Sequence, residues 1–133
     1  MNVFALALLA YNLAAPPQPA RSVDFNRDIR PIFERACLSC HSGEKPKGSY
    51  ALTTRDLALK GGQSGEAAIL PGKPDASPLL RFVQDQVEDL EMPPVAKRGK
   101  FPALTKDEIA TLNGWVAQGA NWPDGAILHA PGK

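Results

Sequence analysis

Apolar positions along this chain fall into short helical stripes separated by long runs of glycine, proline and polar residues. Phe25, Ile29, Ile32, Phe33 and Ala36 recur at helical spacing, with Asp24 placed as an N-cap. The spacing predicts a helix running directly into Cys37, with Pro31 near the start of its regular part or kinking it. Thr54 caps a second, shorter prediction over Arg55 to Lys60, which Gly61-Gly62 ends because glycine accepts the geometry beyond a helix C-terminus. Ser77-Pro78 opens a third helix, with serine as cap and proline at the first helical position. Leu79, Leu80, Val83 and Val87 supply its apolar face. The stretch from Glu91 to Leu104 holds three prolines and reads as extended loop. Thr105-Lys106-Asp107-Glu108 is a capping box for a last helix, with Ile109, Leu112, Trp115, Val116 and Ala120 on its buried side. Trp122, just before Pro123, is placed to plug the end of that helix, and residues 127–133 read as a flexible tail.

Composition changes this picture in two ways. Thirteen prolines and eleven glycines in 133 residues demand long shaped loops, and a small domain needs something large for such loops to pack on. A buried cofactor is one such surface. A net charge of +1 gives no case for nucleic acid as a partner. The N-terminus, apolar from Val3 to about Ala15, is too short to span a bilayer but suits the apolar region of a secretory signal. No Lys or Arg precedes it, so residues 1–20 are read as a signal peptide or a retained N-terminal anchor. The expected compartment is periplasmic or otherwise exported.

The chemistry concentrates at Cys37-Leu38-Ser39-Cys40-His41, a C-x-x-C-H sequence. Two residues between the thiols let both sulfurs reach neighbouring vinyl groups of one haem, and the next residue turns its imidazole onto the iron. Competing readings are weaker. A Cys37–Cys40 disulfide closes a very small loop. A thioredoxin-like pair needs a helix leading out of the motif rather than into it. A zinc site needs four ligands, and the Cys and His side chains comprise only Cys37, Cys40, His41 and the distant His129.

A haem held in this way calls for a sixth ligand downstream. Met1 lies in the N-terminal apolar run, which leaves Met92, 51 residues beyond His41 and followed by Pro93-Pro94. The two prolines restrict how its loop can swing. The alternatives are Met92 as a core filler and His129 as the ligand, although His129 reads as a surface residue outside the packed domain.

Taken together, a helix into C-x-x-C-H, a methionine loop and a C-terminal helix with an aromatic resemble class I cytochrome c. The resemblance is closer to planctomycete-type cytochrome c. It rests on Phe25 to Cys40, Gly61-Gly62, Pro71-Gly72-Lys73-Pro74, Ser77-Pro78-Leu79-Leu80, Met92-Pro93-Pro94 and Trp115 to Pro123, covering about Val23 to Gly125. Gly48-Ser49 departs from the glycine pair that many members carry there. The resemblance implies an all-α fold of about four short helices with long loops around one covalently bound haem c, occupying residues 21–126. It implies His41 and Met92 as axial iron ligands, with Cys37 and Cys40 as the covalent attachments. The expected role is a mono-haem carrier of single electrons rather than an enzyme, with no catalytic residues and with transient redox proteins as donor and acceptor. A haem-bearing subunit of a larger or membrane-associated enzyme complex, and a haem sensor or enzyme with a displaceable sixth ligand, remain as alternatives. Lys97, Arg98 and Lys100, just after Met92, form a basic trio that would steer an acidic partner if that loop borders the haem edge.

Overall fold

A computed structural model describes residues 21–132; the expected signal or anchor, 1–20, lies outside the described residues. The described chain is all-helical, with α1 (Arg30–Ala36), α2 (Arg55–Lys60), α3 (Pro78–Val83) and α4 (Lys106–Ala117), and it contains no strand. Short 3₁₀ turns at Lys47–Ser49, Pro74–Ala76 and Val95–Lys97 shape the loops between them.

The helix predicted to run into Cys37 is built in two parts, and Pro31 falls at the start of the regular one, as expected. Asp24 caps it as expected, its carboxylate accepting from the Arg27 N–H at 2.8 Å. Phe25–Ile29 then form a wide π-type turn, and the Arg30 N–H bonds back to the Phe25 carbonyl. Pro31 follows in the first turn of α1. Proline has no N–H, and its ring crowds the carbonyl four residues back. A widened turn directly before it absorbs both demands.

The π-type turn and α1 are tied to α4 and the segment after it by aromatic packing. The rings of Phe25 and Trp122 lie 4.2 Å apart, and Trp115 meets Phe33 edge-on at 5.7 Å. Each such pair adds about 1 kcal/mol beyond simple burial. Trp115 and Trp122 also donate their indole N–H groups, to the carbonyls of Asn121 and Ala126 respectively. Trp122, expected to plug the end of α4, packs its ring among Phe25, Phe33 and Trp115. The capping box at Thr105 and Glu108 is complete in both directions, and Glu108 also pairs with Arg35 of α1 at 2.9 Å.

Three expectations are corrected. Ser77 precedes α3, but its side chain makes no cap. The hydroxyl is fully buried, donates to the Lys73 carbonyl and accepts from the Leu70 N–H, both at 2.9 Å. α3 ends at Val83, so Val87 is not on its face: Asp85 takes a positive φ of 58°, which no continuing helix tolerates. Residues beyond 126 do not all hang free. Leu128 is fully buried and its N–H bonds to the Thr53 carbonyl at 2.8 Å, so an apolar side chain docks part of the expected tail. His129 next to it is exposed.

Candidate haem site

The C-x-x-C-H segment is positioned by the way α1 ends. The Cys37 and Leu38 N–H groups both reach the Phe33 carbonyl, at 3.0 and 2.9 Å, which breaks the helical ladder and starts a turn. The Cys40 and His41 N–H groups then share the Cys37 carbonyl, at 3.2 and 2.9 Å. Leu38 is the anchor: it is fully buried in the core, whereas Ser39 faces out. One apolar residue in the middle of the motif thereby holds the thiols and the imidazole against the protein.

They line a cavity of about 460 Å³, within the size range of small-molecule and cofactor pockets. Its walls are mainly apolar, with Leu52, Ala68, Leu79, Phe82, Val83 and Leu104 prominent, and Met92, Pro93 and Pro94 line it too. The structure thus brings Cys37, Cys40, His41 and Met92 to one cavity. It does not bring His129 there.

The electrostatics suit uncharged donors. Burial pushes the Cys37 thiol up to about 12, so as a free cysteine it stays protonated at neutral pH. Both cysteines are free rather than bridged. Burial also lowers the His41 pKa, against opposing contributions from the Tyr50 and Lys47 backbones. His41 Nδ1 lies 2.9 Å from the Tyr50 carbonyl. A carbonyl has no proton to give, so Nδ1 carries the hydrogen and Nε2 keeps its lone pair. An imidazole nitrogen, a thioether and two free thiols around an apolar cavity fit a covalently attached haem.

Tyr50 is the residue that sequence reasoning missed. Its carbonyl orients His41, its ring sits 5.4 Å from the imidazole, and its hydroxyl donates to the Ala58 carbonyl at 2.7 Å, linking the histidine to α2. Burial raises its phenol far above the ordinary value. The same loop explains Gly62. A Cβ there would sit 2.3 Å from the Gly48 carbonyl oxygen and 2.9 Å from the Tyr50 Cβ, so only glycine lets the backbone pass. No spacing rule in the sequence marks Tyr50, because its role is carried by a backbone carbonyl.

The methionine segment returns to the end of α3. The Met92 N–H bonds to the Phe82 carbonyl at 3.0 Å. Arg98 then reaches back, donating to the Pro93 carbonyl at 3.0 Å and to both Asp85 carboxylate oxygens at 2.9 and 2.6 Å. Its guanidinium holds the Asp85 carboxyl below the ordinary carboxylate value. The basic trio expected to steer a partner is therefore not uniform: Arg98 is engaged with Asp85, and Lys100 lies over the Phe101 ring at 5.5 Å.

Residues 37–95 match the family model described as Planctomycete cytochrome C. That span is narrower than the resemblance read over 23–125, since it begins at the first cysteine and omits α1 and α4. No curated protein and no solved structure matches the chain.

Proposed function

From the premise that residues 37–95 are a planctomycete cytochrome c domain, a family implying haem-based electron transfer, we propose a mono-haem electron carrier. In it Cys37 and Cys40 hold the haem covalently and His41 and Met92 ligate the iron. The observation that carries this reading is the convergence of Cys37, Cys40, His41 and Met92 on one apolar cavity. Bound there, a haem supplies an iron centre that takes up and releases one electron at a time.

The chain's own residues determine how that happens. His41 offers Nε2 because the Tyr50 carbonyl holds the hydrogen at Nδ1. Met92 offers a thioether, a soft donor that favours ferrous iron and a comparatively high potential. Leu52, Leu79, Phe82 and Val83 keep water from the interior of the cavity. Were His41 and Met92 both to hold the iron of a bound haem, the chain would leave no ligand position open, which suits a carrier better than a catalyst. The apolar run from Val3 to Ala15 supports an exported location. A brief, small interface with redox proteins is the matching mode of encounter.

The test is an optical spectrum of protein matured with cytochrome c assembly machinery, in both redox states, beside a denaturing haem stain. Expected are haem that survives denaturation and a far-red methionine–iron band in the oxidised form, with Met92→Ala losing only the band. Absence of covalent haem overturns the assignment. Covalent haem without the band removes Met92 and favours a sensor or enzyme with an open sixth position.

A further inference from the structure

The segment from Met92 to Leu104 is held to the rest of the protein by few polar links. Its backbone bonds beyond Met92 are local: Lys97 to Pro94, Arg98 to Val95, and Lys100 and Phe101 to Lys97. At its start, the Met92 N–H reaches the Phe82 carbonyl. Among the described residues, the side-chain polar link from this segment to another part of the chain is the fork of Arg98 on Asp85, just past the end of α3. The same guanidinium holds the Pro93 carbonyl, one residue from the methionine. Arg98 is mostly covered, with 22% of its side chain exposed, and Asp85 is reached at a positive φ that turns its carboxylate out of the helix path. Pro93 is buried and Leu104 packs in the core, so apolar contacts seat both ends of the segment, and Arg98 fixes its middle to Asp85, two residues past α3.

We propose that the Arg98–Asp85 pair is a latch on the methionine segment, with Arg98 a positioning residue for the Met92 sulfur. Opening it gives small exogenous ligands access to the sixth position. This rests on the proposed Met92 ligation. A planar bidentate fork fixes both direction and distance, which a lysine at the same place cannot do. One end of the latch lies two residues past α3, the helix that also contributes Leu79, Phe82 and Val83 to the cavity. The segment and the cavity wall therefore keep register with each other.

The experiment is a titration of the oxidised holoprotein with imidazole, following loss of the far-red methionine–iron band, for wild type, Arg98→Gln, Arg98→Lys, Asp85→Asn and the double variant. Arg98→Gln is expected to raise imidazole affinity about five-fold, the upper end for a partly exposed pair with ideal geometry. Arg98→Lys keeps the charge but loses the fork, so it should not restore wild-type affinity. Asp85→Asn, which keeps the bond to Pro93, should give a smaller rise. The double variant should match Arg98→Gln alone, because the Asp85 link is already lost once Arg98 is replaced. If Arg98→Gln does not fold, Asp85→Asn decides the matter in its place. Wild-type imidazole affinity in these variants, with or without a lowered denaturation midpoint, overturns the latch and leaves Met92 ligation standing. A wild-type spectrum without the methionine band overturns both together.

Discussion

Replacing Ser77 separates two ways of starting α3. A helix-capping serine is exposed at the helix end, and aspartate does the same work equally well. The Ser77 hydroxyl is instead sealed inside, bridging the Leu70 N–H and the Lys73 carbonyl. Ser77→Ala removes that bridge and leaves the Leu70 N–H without its partner. Loss of a net hydrogen bond and of a donor's satisfaction together cost about 2 kcal/mol. In a domain of this size that corresponds to a fall of roughly 8 °C in Tm. Ser77→Asp is the sharper change. A carboxylate accepts from Leu70 but has no proton for the Lys73 carbonyl, and it brings a charge into a fully buried site. At least about 4 kcal/mol of destabilisation is expected. Denaturant unfolding of the holoprotein, followed by far-UV circular dichroism, measures both. If Ser77→Asp is as stable as wild type and Ser77→Ala loses under about 1 kcal/mol, the bridge is unimportant and serine is a simple cap after all.

Two further expectations concern the frame around the cavity. Trp122→Phe should keep the stacking on Phe25 while losing the bond to Ala126, costing about 1 kcal/mol; Trp122→Ala should cost about 3 to 5 kcal/mol, and equal losses in thermal melts of the two would refute the division. At Glu108, burial raises the carboxyl pKa, but Arg35 and Thr105 together outweigh it and the net shift is downward. The stabilisation is therefore present above the ordinary carboxylate range and is lost as pH falls through the lowered value. Glu108→Gln keeps the cap and loses the Arg35 pair, so melting temperatures of variant and wild type should differ at neutral pH and converge in acid; a constant gap would contradict it.

What was readable in the sequence was what depends on neighbours a few residues apart. The Asp24, Thr54 and Thr105 caps, the helix into Cys37 and the loop after Glu91 all follow from such local chemistry. Ser77 shows the limit: its position before a proline marks a helix start, but the sequence does not reveal that its hydroxyl turns back to Leu70. The π-type turn was hidden because its apolar spacing resembles that of an ordinary helix. Arg98 and Tyr50 were missed as parts of the site for a related reason. Arg98 read as a steering charge until Asp85, thirteen residues earlier, came into view. Tyr50 acts through a carbonyl that every residue possesses.

The pairing of the two ends of the domain bears on the order in which the chain is made. Val23 bonds to Gln118 across 95 residues, Arg35 to Glu108 across 73, and Arg55 to Ala120 across 65. Phe25 and Phe33, on the helical segment that leads to the cysteines, have the later-synthesised Trp115 and Trp122 as ring partners. Until α4 emerges, nothing aromatic closes over them. A nascent chain thus carries the apolar face of Phe25 and Phe33 uncovered by its aromatic partners until Trp115 and Trp122, far downstream, have been made. The aromatic cluster that holds the segment before the cysteines is therefore completed only after the last helix, however early that segment itself is made.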